Sequence, residues 1–275
     1  MEGYEVSKLL GRGAFGIAQL AKRRSDGSRV VLKRVELCEE DLQATAADGD
    51  KEVKALATCR HPLVVRYFES FQHEDAVVIV MEYVPGGTLR AFLRRQLNLL
   101  DEQFVIRVLA QLVSALLHVH ARRLLHRDLT SRNILLTCDN RVVKIADFGL
   151  SKMLSSRRSR ATSVVGTPEY MSPELCRGET YGAPSDVWAL GCVLYELLML
   201  RTPFQASTVP TLVLAILRGQ YPEPSASFSH ELRHLVSKIL VPDPARRLTL
   251  KQVAASPSVA LELIKLSTSL GAVVR

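Results

Sequence analysis

The chain has 275 residues, 47% hydrophobic and 23% charged, with a formal net charge of +8; that length buries a large core near the upper size of one unit, so one domain in two lobes is expected. The first residues carry Glu2 and Glu5 and no apolar run, and no stretch of 18 or more apolar residues follows, so neither a secretory signal nor a membrane span is expected. The five cysteines, Cys38, Cys59, Cys138, Cys176 and Cys192, never fall as C-x-x-C, which speaks against a zinc site or a disulfide framework and for a reducing, cytoplasmic setting.

In chain order, strands are expected at Tyr4 to Leu10, Ile17 to Arg23, Arg29 to Val35, Val64 to Gln72 and Ala76 to Tyr83, with Ser25-Asp26-Gly27-Ser28 as a hairpin turn. The Ala-rich, charged stretch from Glu40 to Cys59 suits one helix. After Pro85-Gly86-Gly87, taken as a hinge, the period changes: Phe104, Ile106, Leu109, Leu112, Val113, Leu116 and Leu117 follow a buried amphipathic helix. Apolar runs at Val187 to Leu200, Leu212 to Leu217 and Leu232 to Leu240 extend the helical pattern. The fold class is therefore α+β and bilobal, with a small-sheet lobe over residues 1–84, a mainly helical lobe over 85–257 and a helical tail over 258–275.

Gly11-Arg12-Gly13-Ala14-Phe15-Gly16 matches G-x-G-x-x-G. The same spacing opens the helix of dinucleotide-binding folds, but here a second strand follows, which favours a flexible turn lying over phosphates. Lys33 ends the apolar run Val30-Val31-Leu32, where a strand can aim an ammonium at a nucleotide's phosphates, and Glu52 on the next helix is placed to pair with it. The most specific segment is His126-Arg127-Asp128-Leu129-Thr130-Ser131-Arg132-Asn133, between the amphipathic helix and the short strands 134–136 and 142–145. Transfer of a phosphoryl group to a hydroxyl needs a carboxylate to orient the hydroxyl and take its proton, and oxygen ligands for Mg²⁺. Asp128 stands in the first position; Asn133 and Asp147, the latter in Asp147-Phe148-Gly149, stand in the second.

In that order these motifs resemble the eukaryotic protein kinase family over essentially the whole chain. Ser172-Pro173-Glu174 looks like the end of an activation segment, and Asp186-Val187-Trp188-Ala189-Leu190-Gly191 resembles the signature of the helix that follows. The resemblance implies ATP and Mg²⁺ as cofactors, a pairing of Glu174 with Arg247, Met81 as gatekeeper, and Glu82, Tyr83 and Val84 as the segment that hydrogen-bonds adenine. Within the family the chain is most similar to NIMA-related kinases, in particular cilium-associated ones carrying RCC1-like repeats, through Gly11 to Ile17, Pro85-Gly86-Gly87-Thr88-Leu89, Val164-Val165-Gly166-Thr167-Pro168 and Trp188 to Leu197. No such repeats follow within these residues, so repeat-dependent targeting is not carried over; cytoplasm, with centrosome or cilium, is the location the resemblance implies.

Three departures bear on activity. Serine/threonine kinases place Lys two residues after the catalytic Asp, and Thr130 stands there; losing that charge costs on the order of 10² in rate where nothing replaces it, which keeps a pseudokinase or weakly active ATP-binding scaffold open. Arg132 stands where tyrosine kinases put a cation of similar role. Gly166-Thr167-Pro168-Glu169-Tyr170 resembles the serine/threonine substrate loop, with Thr167 beside Asp128, so protein serines and threonines are the expected substrates. Ala18 replaces the valine that usually covers adenine, which weakens nucleotide binding by about 1 kcal/mol. Arg127, preceding the catalytic Asp, implies activation by a phosphate at Ser163 or Thr162, placed by another kinase or by autophosphorylation. The bases are dispersed except at Arg157-Arg158-Ser159-Arg160, read as a solvated loop or a contact for acidic partners; no aromatic-plus-basic platform accompanies them, so nucleic acid is not an expected partner.

Overall fold

The computed structural model describes residues 2–13, 16–36, 59–74, 76–147 and 168–273. The expected helix over 40–59 with Glu52, but for its last residue Cys59, the turn residues Ala14 and Phe15, Phe148 and Gly149, and Thr162, Ser163 and Thr167 lie outside the described residues. The chain divides into two compact units with the break between Pro85 and Gly86.

The first unit is one antiparallel sheet of β1 (Tyr4–Gly13), β2 (Gly16–Arg23), β3 (Arg29–Glu36), β4 (Tyr67–His73) and β5 (Ala76–Glu82), in the order β1-β2-β3-β5-β4. Alternation along β3 puts Val30 and Leu32 on one face, where they pack with Ala21, Val78 and Val80 under Tyr4, Phe68 and Phe71. The β2–β3 turn closes as its residues dictate: Asp26 accepts from the Ser28 amide at 2.9 Å, and Gly27 takes φ 72°.

Two strand boundaries differ from expectation by more than one residue. β1 continues to Gly13, its register shifting twice along the way. Gly11 faces Ala18 and Gly13 faces Gly16, so the first two glycines lie in the ladder itself. β4 starts at Tyr67, because His61 organises a turn ahead of it: the Val64 amide donates to the His61 carbonyl at 3.0 Å and the Leu63 amide to His61 Nδ1 at 3.2 Å. Val64 and Val65 are buried without being in a strand.

The second unit is mainly helical: α1 (Leu89–Leu93), α2 (Glu102–Ala121), α3 (Pro173–Cys176), α4 (Ala183–Met199), α5 (Val209–Arg218), α6 (His230–Ile239), α7 (Leu250–Ala254) and α8 (Pro257–Val273), with the hairpin β6 (Ile134–Leu136) and β7 (Val143–Ile145). Sequence-local caps start most of them: Thr88, Asp101, Thr208, Ser229 and Thr249 each accept an amide from the first turn. Helix α2 is long and apolar enough to cross a membrane, yet its apolar residues are buried against α4, α7, α8 and β7, as a core helix requires. Segregated sheet and helices make the class α+β, as expected. Gly86 and Gly87 are stitched to β6: the Gly86 amide donates to the Leu136 carbonyl at 2.9 Å, and the Leu136 amide to the Gly87 carbonyl at 2.8 Å. A Cβ on Gly86 would lie 2.3 Å from the Leu136 and Thr137 carbonyl oxygens, so glycine serves close approach at this position.

Candidate active site

The loop between α2 and β6 contains the segment His126 to Asn133, and a buried carboxylate holds it. Asp186, in the first turn of α4, accepts the His126 amide at 2.9 Å, the Arg127 amide at 3.1 Å, His120 Nε2 at 2.7 Å and the Tyr181 hydroxyl. Burial alone would raise the Asp186 carboxyl, but these hydrogen bonds, with His120 foremost, hold it below the usual carboxylate range. Burial next to the same carboxylate keeps the Tyr181 hydroxyl protonated and therefore a donor. His126 is fully buried, and burial outweighs the nearby Asp186, Asp128 and Asp147 to keep its ring neutral. Its Nδ1 accepts the Asp128 amide at 3.3 Å.

Asp128 is fixed from the other side by Asn133, whose Nδ2 donates to both the Asp128 carbonyl and Oδ2 at 2.8 Å. That commits the Asn133 side-chain nitrogen to Asp128. The Ala146 amide donates to the Asn133 main-chain carbonyl at 2.8 Å, which ties the loop to the strand leading to Asp147. Both Arg127 (φ 64°) and Asp147 (φ 55°) hold left-handed backbone, which is uncommon for residues with a Cβ and concentrates at functional sites. Thr130 is only 3% exposed, whereas Arg132 is exposed.

A second buried network anchors the loop. Ser131 Oγ lies 3.1 Å from the Tyr170 hydroxyl, which donates to Glu196, and Glu196 pairs with Arg90 at 2.8 Å. The Arg90 amide donates to the Ser131 carbonyl at 2.8 Å, which closes the circuit. Gln111, inside the apolar α2, spans to the β6–β7 turn: it donates to the Arg141 carbonyl and accepts the Val143 amide, both at 2.9 Å. Sequence reasoning missed the roles of His120, Tyr181, Tyr170, Glu196, Arg90 and Gln111. For Gln111 and Glu196 a signal existed, since each is a polar residue inside an apolar helical run, and such a residue must find a buried partner.

The expected pair of Glu174 with Arg247 is present and bidentate, Nη1 and Nη2 each 2.9 Å from a carboxylate oxygen. Ser185 donates to Glu174 at 2.7 Å, and Arg247 also bonds the Pro184 and Val241 carbonyls and lies over the Trp188 ring.

In the first unit, the register places Gly11, Ala18, Lys33 and Ile79 side by side, with Val31 and Met81 further along the same face, opposite the Leu32 core. Beyond Met81, the Glu82 amide donates to the Arg66 carbonyl at 2.8 Å, Arg29 lies over the Tyr83 ring, and Val84 is buried.

A family model described as protein kinase domain matches residues 4–259. The chain belongs to the protein kinase domain family. It is 44% identical to serine/threonine-protein kinase Nek8 of Danio rerio over 272 residues, 98% of this chain and 39% of that protein. With serine/threonine-protein kinase Nek5 of Homo sapiens the figures are 38% over 258 residues, 94% and 36%; with serine/threonine-protein kinase nekl-2 of Caenorhabditis elegans they are 34% over 284 residues, 98% and 78%. These similarities place it in the NIMA-related branch. The chain spans well under half the length of the first two relatives.

Proposed function

We propose that this chain transfers the γ-phosphate of ATP to serine and threonine hydroxyls of protein substrates, with Asp128 as the base. The observation that carries this reading is the doubly held Asp128: its backbone is tethered through His126 and Asp186, and its side chain is clamped by Asn133. A carboxylate fixed in this way orients the incoming hydroxyl and takes its proton without reorganising, which is where positioning lowers a barrier. Lys33, beside Ala18 and near Met81 on one sheet face, supplies the cation for the nucleotide's phosphates; its expected partner Glu52 is outside the described residues. The segment 82–84 offers backbone groups to adenine.

The donor set fits Mg²⁺. Asn133 has its nitrogen committed to Asp128 and so offers an oxygen, and Asp147 offers a carboxylate. Two protein oxygens completed by phosphates and water are what this ion takes. Among the described residues no cluster of three or more His, Cys, Asp or Glu is arranged for a tighter metal cage. Bound Mg²⁺ neutralises phosphate charge and aligns the transferred group.

The buried Thr130 supports a second reading, a scaffold with weak or no transfer, because no cation occupies that position. In the preferred reading the exposed Arg132 supplies the missing charge. The deciding experiment is radiolabelled phosphate transfer from Mg-ATP to a generic serine/threonine substrate, comparing wild type, Asp128→Asn and Thr130→Lys. Transfer that vanishes in Asp128→Asn, with phosphoserine or phosphothreonine as product, is expected. Inactive wild type with recovery in Thr130→Lys would establish the scaffold instead.

A further inference from the structure

On the second unit, the segment after α5 and the outward face of α6 enclose a cleft of about 640 Å³ that shares no residue with the catalytic loop. Ligand sites commonly have this size. One wall is α6, where His230, Arg233, His234 and Ser237 follow i, i+3, i+4, i+7 spacing and stand on one face. The two imidazoles stack with centroids 5.7 Å apart and planes 13° from parallel. Arg233 donates through Nε to the Phe228 carbonyl at 3.3 Å, which orients its guanidinium. No carboxylate among the described residues forms an ion pair with it.

Tyr221 and Glu223 also line the cleft. Tyr221 packs edge-on against Tyr195 and Phe204, each at 5.7 Å, and burial, then the neighbouring Tyr195, Cys192 and Glu223, push its hydroxyl up to about 12. It therefore remains a neutral donor at physiological pH. Gly219, at φ 62°, approaches Pro242 so closely that a Cβ would lie 2.6 Å from the proline ring, so packing sets the shape of this corner.

The cleft is thus lined by a guanidinium, two imidazoles and a tyrosine, with a single carboxylate among them. A carboxylate ligand would be satisfied by the arginine fork alone, whereas three nitrogen-bearing side chains on one wall match the three oxygens of a phosphomonoester dianion. Glu223 then suits a cation next to that phosphate. We propose that this cleft binds a phosphorylated serine or threonine of a protein segment, the phosphate against Arg233 and the His230–His234 pair, and a basic residue of the same segment against Glu223. The site holds partners already phosphorylated, away from the reacting centre.

The test is fluorescence anisotropy of the intact chain, without ATP, against a labelled phosphoserine peptide with an adjacent arginine, its unphosphorylated twin, and inorganic phosphate as competitor; the result is independent of whether the chain transfers phosphate. The expected result is binding at least about tenfold tighter for the phosphopeptide than for the twin, and a loss of about tenfold or more in Arg233→Ala, the scale of a charge-assisted fork. Arg233→Lys, which keeps charge without the fork, and the exposed pair His230→Ala with His234→Ala should each weaken binding while the melting temperature and phosphoryl transfer to a generic substrate stay at wild-type values. Displacement by inorganic phosphate only in large excess assigns the site to a protein segment, whereas displacement at the peptide's own concentration assigns it to the free anion and overturns the segment. Equal affinity for the twin, or wild-type binding by all three variants, overturns the site altogether.

Discussion

Replacing Asp186 with Asn tests whether this buried carboxylate positions the catalytic loop. Asn is isosteric and keeps one acceptor oxygen, but its amide puts a donor where Oδ2 now accepts from the His126 amide at 2.9 Å and His120 Nε2 at 2.7 Å. Two buried donors then lose their acceptor, at roughly 1–3 kcal/mol each, so about 2–6 kcal/mol of stability is lost. At roughly 2–4 °C per kcal/mol for a unit of this size, the thermal midpoint should fall by many degrees. The loop that loses its tether carries Asp128, and a shift of about 1 Å at a reacting group costs on the order of 10² in rate. Assayed well below the variant's melting temperature, kcat should fall by about that factor while ATP affinity is retained, because the face bearing Lys33 and Met81 is untouched. The pH dependence should change as well. The folded Asp186 pKa is depressed, so its contribution is present above the unfolded value of about 3.9 and is lost as pH falls through the folded one. Wild type should lose this stability on acidification below about pH 4, and Asp186→Asn should lack that component. An unchanged unfolding midpoint together with wild-type kcat would refute the tether.

Arg247→Ala should destabilise the second unit by about 3–5 kcal/mol in denaturant unfolding, because Glu174 is left as a buried, uncompensated charge; a loss below about 1 kcal/mol would mean water replaces the guanidinium. Gly86→Ala should cost about 1–3 kcal/mol or more, since its Cβ meets two carbonyl oxygens of the β6 end at 2.3 Å and must push that strand away. Gly87→Ala, with open space around the Cβ but φ 80°, should cost about 1 kcal/mol, and the reverse ranking would contradict the close-approach argument. Ser163→Ala should lower phosphoryl transfer if a phosphate there is read by Arg127; equal turnover by a fully dephosphorylated enzyme would remove that role.

The order of the motifs is legible in the chain alone, since each is a short run whose chemistry is local: Asp128 with Asn133 five residues on, Asp147 after the β6–β7 hairpin, Lys33 at the end of the apolar run Val30-Val31-Leu32. Strand and helix periods were equally legible where one face is buried, as in Val30 and Leu32 of β3 or the apolar row of α2. The boundaries that shifted have local causes without a periodic signal, such as the His61 side chain closing a turn ahead of β4.

The amino-acid sequence by itself therefore determined the strands and the long helices of the described residues, the order of the motifs that carry Asp128 and Asn133, and the kinase class. Only the tertiary structure decided what holds them in place. Asp186 reaches back 60 residues to the His126 amide, Glu196 reaches 106 to Arg90, and Arg247 reaches 73 to Glu174. Such pairs leave no spacing rule in the chain, because a buried polar group is satisfied by whatever donor the packing brings to it, and that partner is chosen only when the helices close on one another.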